Sequence, residues 1–123
     1  MFISVICPTY NSSAFIYKTI ESILDQTYQK FEIIFSDDGS TDETINILEK
    51  FKIQFQEKKI LVRIIKNQHK GPGFARNEAI KVASYEWIAF IDSDDLWTKD
   101  KLEEAIHEIK KDASVNCVLH RQI

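Results

Sequence analysis

Apolar runs and amphipathic stretches alternate along the whole chain. Runs rich in isoleucine, valine and phenylalanine are typical of buried strands, whereas apolar residues at every third or fourth position are typical of helices. Strands are predicted over Phe2–Cys7, Phe31–Phe35, Ile60–Lys66, Glu86–Ile91 and Val115–Leu119. Helices are predicted over Ala14–Gln26, from Thr41 or Asp42 to about Gln56, over Phe74–Ala83 and over Asp100–Lys110.

Strands that alternate with helices predict an α/β fold, in which helices joined by right-handed crossovers cover both faces of a mainly parallel sheet. The length of 123 residues is enough for one domain with one core. The chain ends at Arg121-Gln122-Ile123, soon after the fifth predicted strand. That abrupt end suggests a fragment of a longer polypeptide.

Composition and charge exclude several classes of protein. Hydrophobic residues make up 44% and charged residues 28%, which is typical of a globular domain rather than a disordered chain. The net charge of −3 argues against nucleic acid as a partner. Cys7 and Cys117 lie within apolar runs and are predicted to be reduced core thiols. No basic leader and no membrane-length apolar run is visible, so a cytoplasmic location is expected.

The clearest chemical signal is an acidic turn after the fourth predicted strand. It places Asp92, Asp94 and Asp95 within four residues. Folding alone does not require three neighbouring carboxylates, and a hard divalent cation would relieve their repulsion. Because parallel sheets bind ligands at the carboxyl ends of their strands, the turn predicts a metal-assisted phosphate site. Two simpler interpretations are that Asp94 or Asp95 caps the last helix, and that the carboxylates are merely solvated.

Three further polar clusters follow the first three predicted strands and are expected at the same edge of the sheet. They are Pro8-Thr9-Tyr10-Asn11, the segment 36–42 and the segment 67–77. Local structure could explain the first two, as a helix cap at Asn11, Ser12 or Ser13 and as a tight turn at Gly39. A turn needs only one carboxylate, however. One of the two adjacent aspartates at 37 and 38 is therefore expected to accept a hydrogen bond from a base or a ribose.

The segment Gly71-Pro72-Gly73-Phe74-Ala75-Arg76 partly matches the dinucleotide-binding pattern G-x-G-x-x-G. Arg76 replaces the third glycine, and the segment follows the third predicted strand rather than the first, so the match is rejected. A loop that brings Lys70 or Arg76 to a diphosphate fits the residues better, because guanidinium groups pair well with phosphate oxygens.

Taken together, the motifs resemble those of the family 2 glycosyltransferases, which are inverting enzymes that use nucleotide-sugar donors. The matching segments are 5–11, 22–28, 31–34, 37–42, 75–77 and 92–95. They follow one another in the family's order between about Ser4 and Leu102. The resemblance implies a GT-A fold, which is a Rossmann-like three-layer sandwich with a mainly parallel sheet.

The resemblance also implies roles for individual residues. The nucleotide would be bound by Pro8, Thr9, Tyr10, Asp37, Asp38, Arg76 and Asp92. Within that set, Tyr10 would stack near the base, Asp37 would contact uracil or another base with Asp38 close by, and Arg76 would border the phosphates. Asp92-Ser93-Asp94 matches the D-x-D motif that binds ribose and Mg²⁺ or Mn²⁺, and Asp95 is a further candidate metal ligand.

By the same resemblance, residues 1–123 correspond to the donor-nucleotide-binding part of a glycosyltransferase domain. The general base is expected beyond Ile123, so the chain alone is expected to transfer sugar poorly or not at all. The expected partners are a nucleotide-sugar donor, with UDP-sugars favoured, and a glycan or lipid-linked acceptor bound by the rest of the parent protein. That remaining part could also attach the parent to a membrane.

Three other functions remain open at this point. A non-catalytic nucleotide-binding module would share every donor-site residue. A metal-dependent nucleotidyltransferase would favour a glycine-rich loop with a lysine after the first strand, which Pro8-Thr9-Tyr10-Asn11 is not. A plain α/β interaction domain would have no metal-dependent affinity for nucleotides.

Overall fold

Strands and helices alternate through residues 1–112, the part of the chain that the computed structural model describes. The strands are β1 (Ile3–Thr9), β2 (Phe31–Asp37), β3 (Val62–Lys66) and β4 (Trp87–Phe90). The helices are α1 (Ile16–Leu24), α2 (Thr44–Glu57), α3 (Pro72–Val82) and α4 (Lys101–Lys111). The fifth predicted strand, Val115–Leu119, and Cys117 lie outside the described residues.

The four strands form one sheet in the order β3-β2-β1-β4, and every pair is parallel. This confirms the predicted α/β fold. β1 and β2 pair from Ile3 opposite Phe31 to Thr9 opposite Asp37. β4 pairs with β1 only as far as Ile6, so the side of β1 that faces β4 is unpaired at Pro8. The missing N–H of the proline therefore removes no hydrogen bond from the sheet.

Two strands are longer than predicted at their carboxyl ends. β1 continues past Cys7 to Thr9, and β2 continues past Phe35 to Asp37. The prediction ended both strands where the sequence becomes polar. In the structure the polar residues at these ends are buried and paired across the sheet, so polarity does not mark the end of either strand.

Two helices begin later than predicted. α1 begins at Ile16 rather than Ala14, and the N-cap of α2 is Glu43 rather than the predicted Thr41 or Asp42. The amides of Ser12 and Ser13 donate to the side chains of Thr44 and Asp42, so the residues before α1 are joined to the start of α2. The N-cap residues, Phe15 and Glu43, make no side-chain capping bond.

The sheet is buried on both faces. Val5, Cys7 and Ile33 belong to the larger core, which also contains apolar side chains of α1, α2 and α4. Ile6 and Ile34 point to the opposite face and pack with Ala79 of α3. Burial on both faces explains why the two central strands have continuous rather than alternating apolar sequences.

A buried carboxylate fastens the amino end of the sheet. Glu32 is 1% exposed and accepts hydrogen bonds from the Ser4 hydroxyl at 2.6 Å and the Ser84 amide at 2.6 Å. Arg63 adds an ion pair at 3.6 Å. Since Ser84 lies between α3 and β4, Glu32 links that connection to the two central strands.

No helix within residues 1–112 combines the length and the apolar character needed to cross a bilayer.

Replacing Glu32 with Gln should destabilise the fold by about 1–3 kcal/mol. The NH2 group of the glutamine side chain cannot accept a hydrogen bond, so it would face the donors that bond to Glu32 now without pairing with them. Glu49→Gln, at an exposed position of α2, is the matched control and should change stability little. Urea unfolding followed by circular dichroism measures both free energies. Equal stability of the two variants would contradict a fastening role for Glu32.

Candidate functional site

A cavity of about 360 Å³ opens at the carboxyl edge of the sheet. It is lined by Pro8, Thr9, Tyr10, Asp38, His69, Pro72, Arg76, Asp92 and Ser93. These residues come from all four polar clusters, which the parallel strands deliver to one edge. The predicted convergence of the clusters is therefore confirmed.

Hydrogen bonds between the first two loops set the shape of one wall. Asn11 has a left-handed backbone with φ of 44°. Its backbone amide donates to the Ser40 hydroxyl at 2.8 Å, and its side-chain oxygen accepts the Thr41 backbone amide at 2.8 Å. Burial acts to raise the pKa of Asp42, but hydrogen bonds from Thr44 and Ser13 outweigh it and lower the pKa to about 2. A charged Asp42 thus joins the start of α2 to the loop before α1.

The two neighbouring aspartates after β2 have different environments. Asp37 is buried, and its carboxylate accepts hydrogen bonds from the Thr9 hydroxyl at 2.7 Å and from the amide and hydroxyl of Ser40 at 2.8 and 2.6 Å. Those donors hold Asp37 behind the pocket wall. Its carboxylate fixes the β2–α2 loop to β1.

Asp38, by contrast, lines the pocket. Its Oδ1 accepts the amides of Lys70 at 2.7 Å and Gly71 at 3.0 Å, and its Oδ2 lies 2.9 Å from His69 Nδ1. Burial acts to raise the pKa of Asp38, but the two amides and His69 outweigh it, so the pKa lies below its usual value. The side chain is therefore a charged hydrogen-bond acceptor at neutral pH.

The loop after β3 passes close to Gly39. Gly39 has φ of +77°, and a Cβ atom there would lie 3.0 Å from the His69 amide nitrogen and 3.3 Å from the Asn67 carbonyl oxygen. Both the backbone angle and the close approach disfavour larger residues. The predicted turn at Gly39 is thus also the contact between the second and third loops.

His69 supports the tyrosine that the sequence predicts beside the base. The rings of Tyr10 and His69 are stacked, with centroids 4.4 Å apart and planes 19° apart. His69 Nδ1 faces the Asp38 carboxylate and, at 3.1 Å, the Asp38 carbonyl oxygen, so it carries the hydrogen. Sequence reasoning placed His69 in a polar cluster but gave it no role.

The three carboxylates of the acidic turn lie close together. Asp92, Asp94 and Asp95 each offer an oxygen within 4.8 Å of the others, and Asp92 and Asp94 are exposed. The next helix begins at Lys101, with Asp100 at the N-cap, so neither Asp94 nor Asp95 caps it. Capping therefore does not explain this turn.

Thr19 of α1 holds the acidic turn from below. Its hydroxyl oxygen lies 2.8 Å from the Ser93 carbonyl oxygen and 2.7 Å from that of Asp95. On the other side of the turn, the Ser12 hydroxyl donates to Ser93 Oγ at 2.9 Å. The backbone of the turn is thus fixed by buried hydroxyls. Asp92 and Asp94 are exposed, whereas the Asp95 carboxylate accepts the Asp92 amide at 3.2 Å.

This donor set fits a hard divalent cation such as Mg²⁺ or Mn²⁺. Carboxylate oxygens are the ligands that such ions prefer, and three of them in one turn leave a strong negative field. The field acts on a neighbouring core residue as well. Burial raises the pKa of the Cys7 thiol, and the charges of Asp92, Asp95 and Asp94 raise it further, so Cys7 remains a protonated core thiol.

Of the two cations predicted to reach a diphosphate, Arg76 lines the cavity. Arg76 lies near the start of α3, and its Nη2 is 3.1 Å from Asp92 Oδ1. The Lys70 ammonium lies 4.8 Å from the centroid of the Phe74 ring. The structure therefore brings Arg76, Asp38, Tyr10 and Asp92 to one cavity.

The sequence profile of glycosyl transferase family 2 matches residues 4–123. The chain belongs to glycosyl transferase family 2. In Escherichia coli, the β-1,3-glucosyltransferase WfaP, named as acting from UDP-Glc on α-D-GlcNAc-diphosphoundecaprenol, is 45% identical over 106 residues. That match covers 85% of this chain and 40% of WfaP. The chain thus spans about two fifths of the length of this relative.

Solved structures of similar proteins have the same fold. S. aureus TarS in complex with UDP-GlcNAc has a TM-score of 0.80 and 36% identity over 90% of this chain and 32% of the TarS chain. The mannosyltransferase PcManGT from Pyrobaculum calidifontis, in complex with GDP-Man and Mn²⁺, has a TM-score of 0.80 and 27% identity. It matches 87% of this chain and 32% of its own. The predicted GT-A fold is confirmed.

Replacing Thr19 with Val should loosen the acidic turn, because valine keeps the shape of the side chain but removes the one hydroxyl donor that the carbonyl groups of Ser93 and Asp95 share. We expect a loss of about 1–3 kcal/mol in stability and weaker Mn²⁺ binding. Thr19→Ser keeps the hydroxyl and should behave like the unaltered chain. Urea unfolding and Mn²⁺ calorimetry measure the two effects, and unchanged Mn²⁺ affinity in Thr19→Val would show that Thr19 does not position the turn.

Proposed function

We propose that residues 1–123 form the donor-binding part of an inverting, metal-dependent glycosyltransferase that acts in glycan or polysaccharide biosynthesis. One observation carries the proposal: Asp38, Arg76 and Asp92 line a single cavity, and Asp94 and Asp95 each offer an oxygen within 4.8 Å of Asp92. A nucleoside diphosphate offers complementary groups in the same order, namely a base, a diphosphate and a position for a cation. The catalysed reaction would transfer a sugar from that nucleotide to an acceptor hydroxyl.

The base is proposed to lie against Tyr10 and Asp38. Lys70, Gly71 and His69 already occupy much of the acceptor capacity of Asp38, and the remaining lone pair can take one further N–H donor. Uracil and guanine each have an imide-type N–H on the base-pairing edge, whereas cytosine and adenine have an acceptor nitrogen there. The UDP-GlcNAc and GDP-Man complexes of TarS and PcManGT agree with this choice.

The diphosphate is proposed to lie between Arg76 and the acidic turn. Asp92 and Asp94, with Asp95 as a further candidate, would hold Mg²⁺ or Mn²⁺. When bound, such an ion supplies Lewis-acid stabilisation of the charge that develops on a leaving diphosphate. The chain itself positions the nucleotide through Tyr10 and Asp38.

The acceptor hydroxyl needs a general base on the opposite face of the sugar. Among residues 1–112, the carboxylates that line the cavity are already assigned to the base, the ribose or the cation. The general base and the acceptor site are therefore proposed to lie in the rest of the parent protein. A sugar-transfer assay of the parent protein with radiolabelled UDP-sugars distinguishes the enzyme from a module that only binds nucleotides.

Binding of UDP to this chain should require Mn²⁺ and should weaken by tenfold or more in Asp94→Asn, because the cation loses a charged ligand. Asp25→Asn, at the exposed C-terminal end of α1, is the matched control and should bind as the unaltered chain does. Isothermal calorimetry with and without Mn²⁺ gives the affinities. Mn²⁺-independent binding of UDP, or equal binding by Asp94→Asn, would contradict the proposed metal site.

The chain should also bind UDP at least about tenfold more tightly than CDP, which corresponds to one hydrogen bond to a charged group. Asp38→Asn should reduce that preference, since the neutral amide is a weaker acceptor. Competition against a fluorescent UDP analogue measures both ratios. Equal affinities for UDP and CDP would remove Asp38 from base recognition.

A further inference from the structure

The ion pair between Arg76 and Asp92 occupies the position where the proposed diphosphate and cation must meet. Arg76 Nη2 and Asp92 Oδ1 are 3.1 Å apart, and both residues line the 360 Å³ cavity. Both also line an adjoining cavity of about 470 Å³, together with Phe90 and Asp95. The pair therefore separates two openings at the acidic turn.

This pair is weak enough to be exchanged. The side chains of Arg76 and Asp92 are 38% and 56% exposed. An ion pair this accessible to solvent is favoured over its separated side chains by a factor of only about two to five. Asp92 makes no other ion pair that the structure shows within residues 1–112. A stronger ligand for either side chain can therefore separate them.

Arg76 and a divalent cation compete for Asp92. Both are positively charged, so a cation that binds the Asp92 carboxylate repels the guanidinium beside it. A cation that arrives alone must also break the ion pair. Arg76 thus lowers the affinity of the empty pocket for the cation.

A diphosphate offers Arg76 a better partner. Guanidinium groups bind phosphate oxygens through two parallel hydrogen bonds, whereas a single hydrogen bond joins Arg76 to Asp92. The backbone of Arg76 belongs to α3, whose neighbouring Ala75 and Ala79 are buried against the sheet. The helix can therefore remain in place while the half-exposed side chain turns from Asp92 to the phosphates.

We infer that Arg76 makes the binding of nucleotide and cation interdependent by exchanging Asp92 for the diphosphate. The nucleotide draws Arg76 away and frees Asp92 for the cation, and the cation in turn repels Arg76 toward the nucleotide. Because coupling between two ligands is reciprocal, each ligand raises the affinity for the other by the same factor. This inference rests on the proposed function, since it assumes that a nucleoside diphosphate and a divalent cation share the pocket.

The test is Mn²⁺ calorimetry with and without saturating UDP on the unaltered chain, Arg76→Gln, Arg76→Lys and Lys81→Gln. Arg76→Gln should bind Mn²⁺ alone about two- to fivefold more tightly, because the competing cation is gone. The factor by which UDP raises Mn²⁺ affinity should fall by a similar amount. Arg76→Lys keeps a positive charge and should lie between Arg76→Gln and the unaltered chain.

Lys81→Gln is the matched control, because Lys81 lies on the same helix and forms a comparable exposed ion pair with Glu78 at 3.0 Å. It should leave Mn²⁺ affinity and coupling unchanged. If UDP binds in an Mn²⁺-dependent manner but Arg76→Gln matches the unaltered chain in both quantities, the inference is overturned and the proposed function stands. If the unaltered chain shows no Mn²⁺-dependent binding of UDP, the proposed function fails first, and the inference fails with it.

Discussion

Parallel pairing of β1 with both of its neighbours is the constraint on which the rest of the structure depends. It puts the last residues of β1 and β2, Thr9 and Asp37, opposite each other, and it ends β4 at Phe90, opposite Ile6, so the loops after these three strands leave the sheet at the same edge. β3 pairs with β2 up to Lys66 opposite Asp37 and brings the loop after β3 to the same edge. Residues far apart in the sequence can then form hydrogen bonds, as Ser12 and Ser93 do across 81 positions. The cavity is a direct result of this register.

The two aspartates after β2 show how one short motif can serve both folding and binding. Strand alternation directs neighbouring residues to different surroundings. Asp37, at the end of the strand, meets hydroxyl and amide donors of its own chain, whereas Asp38 meets the loop after β3 and the cavity. Asp37 does not line the cavity, and its hydrogen bonds stabilise the loop. Asp38 lines the cavity and is the residue proposed to accept a hydrogen bond from the ligand.

The sequence was sufficient to predict the order of strands and helices, because the spacing of hydrophobic residues distinguishes the two. Their alternation then predicts a parallel sheet, and the polar clusters that follow the strands meet at its carboxyl edge. The family resemblance gave the base contact to Asp37 with Asp38 close by, whereas Asp38 is the one that lines the cavity. The residues alone do not distinguish the two, since their surroundings depend on the end of β2, which was placed two residues too early at Phe35. His69 was not assigned a role, because its partners Tyr10 and Asp38 are distant in sequence. In the sequence, Thr19 is one position on the buried face of a predicted helix. Only the folded structure shows that its hydroxyl contacts the acidic turn.

The buried Glu32 cluster lies at the end of the sheet opposite the cavity. Determinants of folding at that end are therefore physically distant from the determinants of ligand choice at the other. Under the proposed function, a substitution in a loop at the cavity would change donor binding while the Glu32 cluster still joins the strands at the far end.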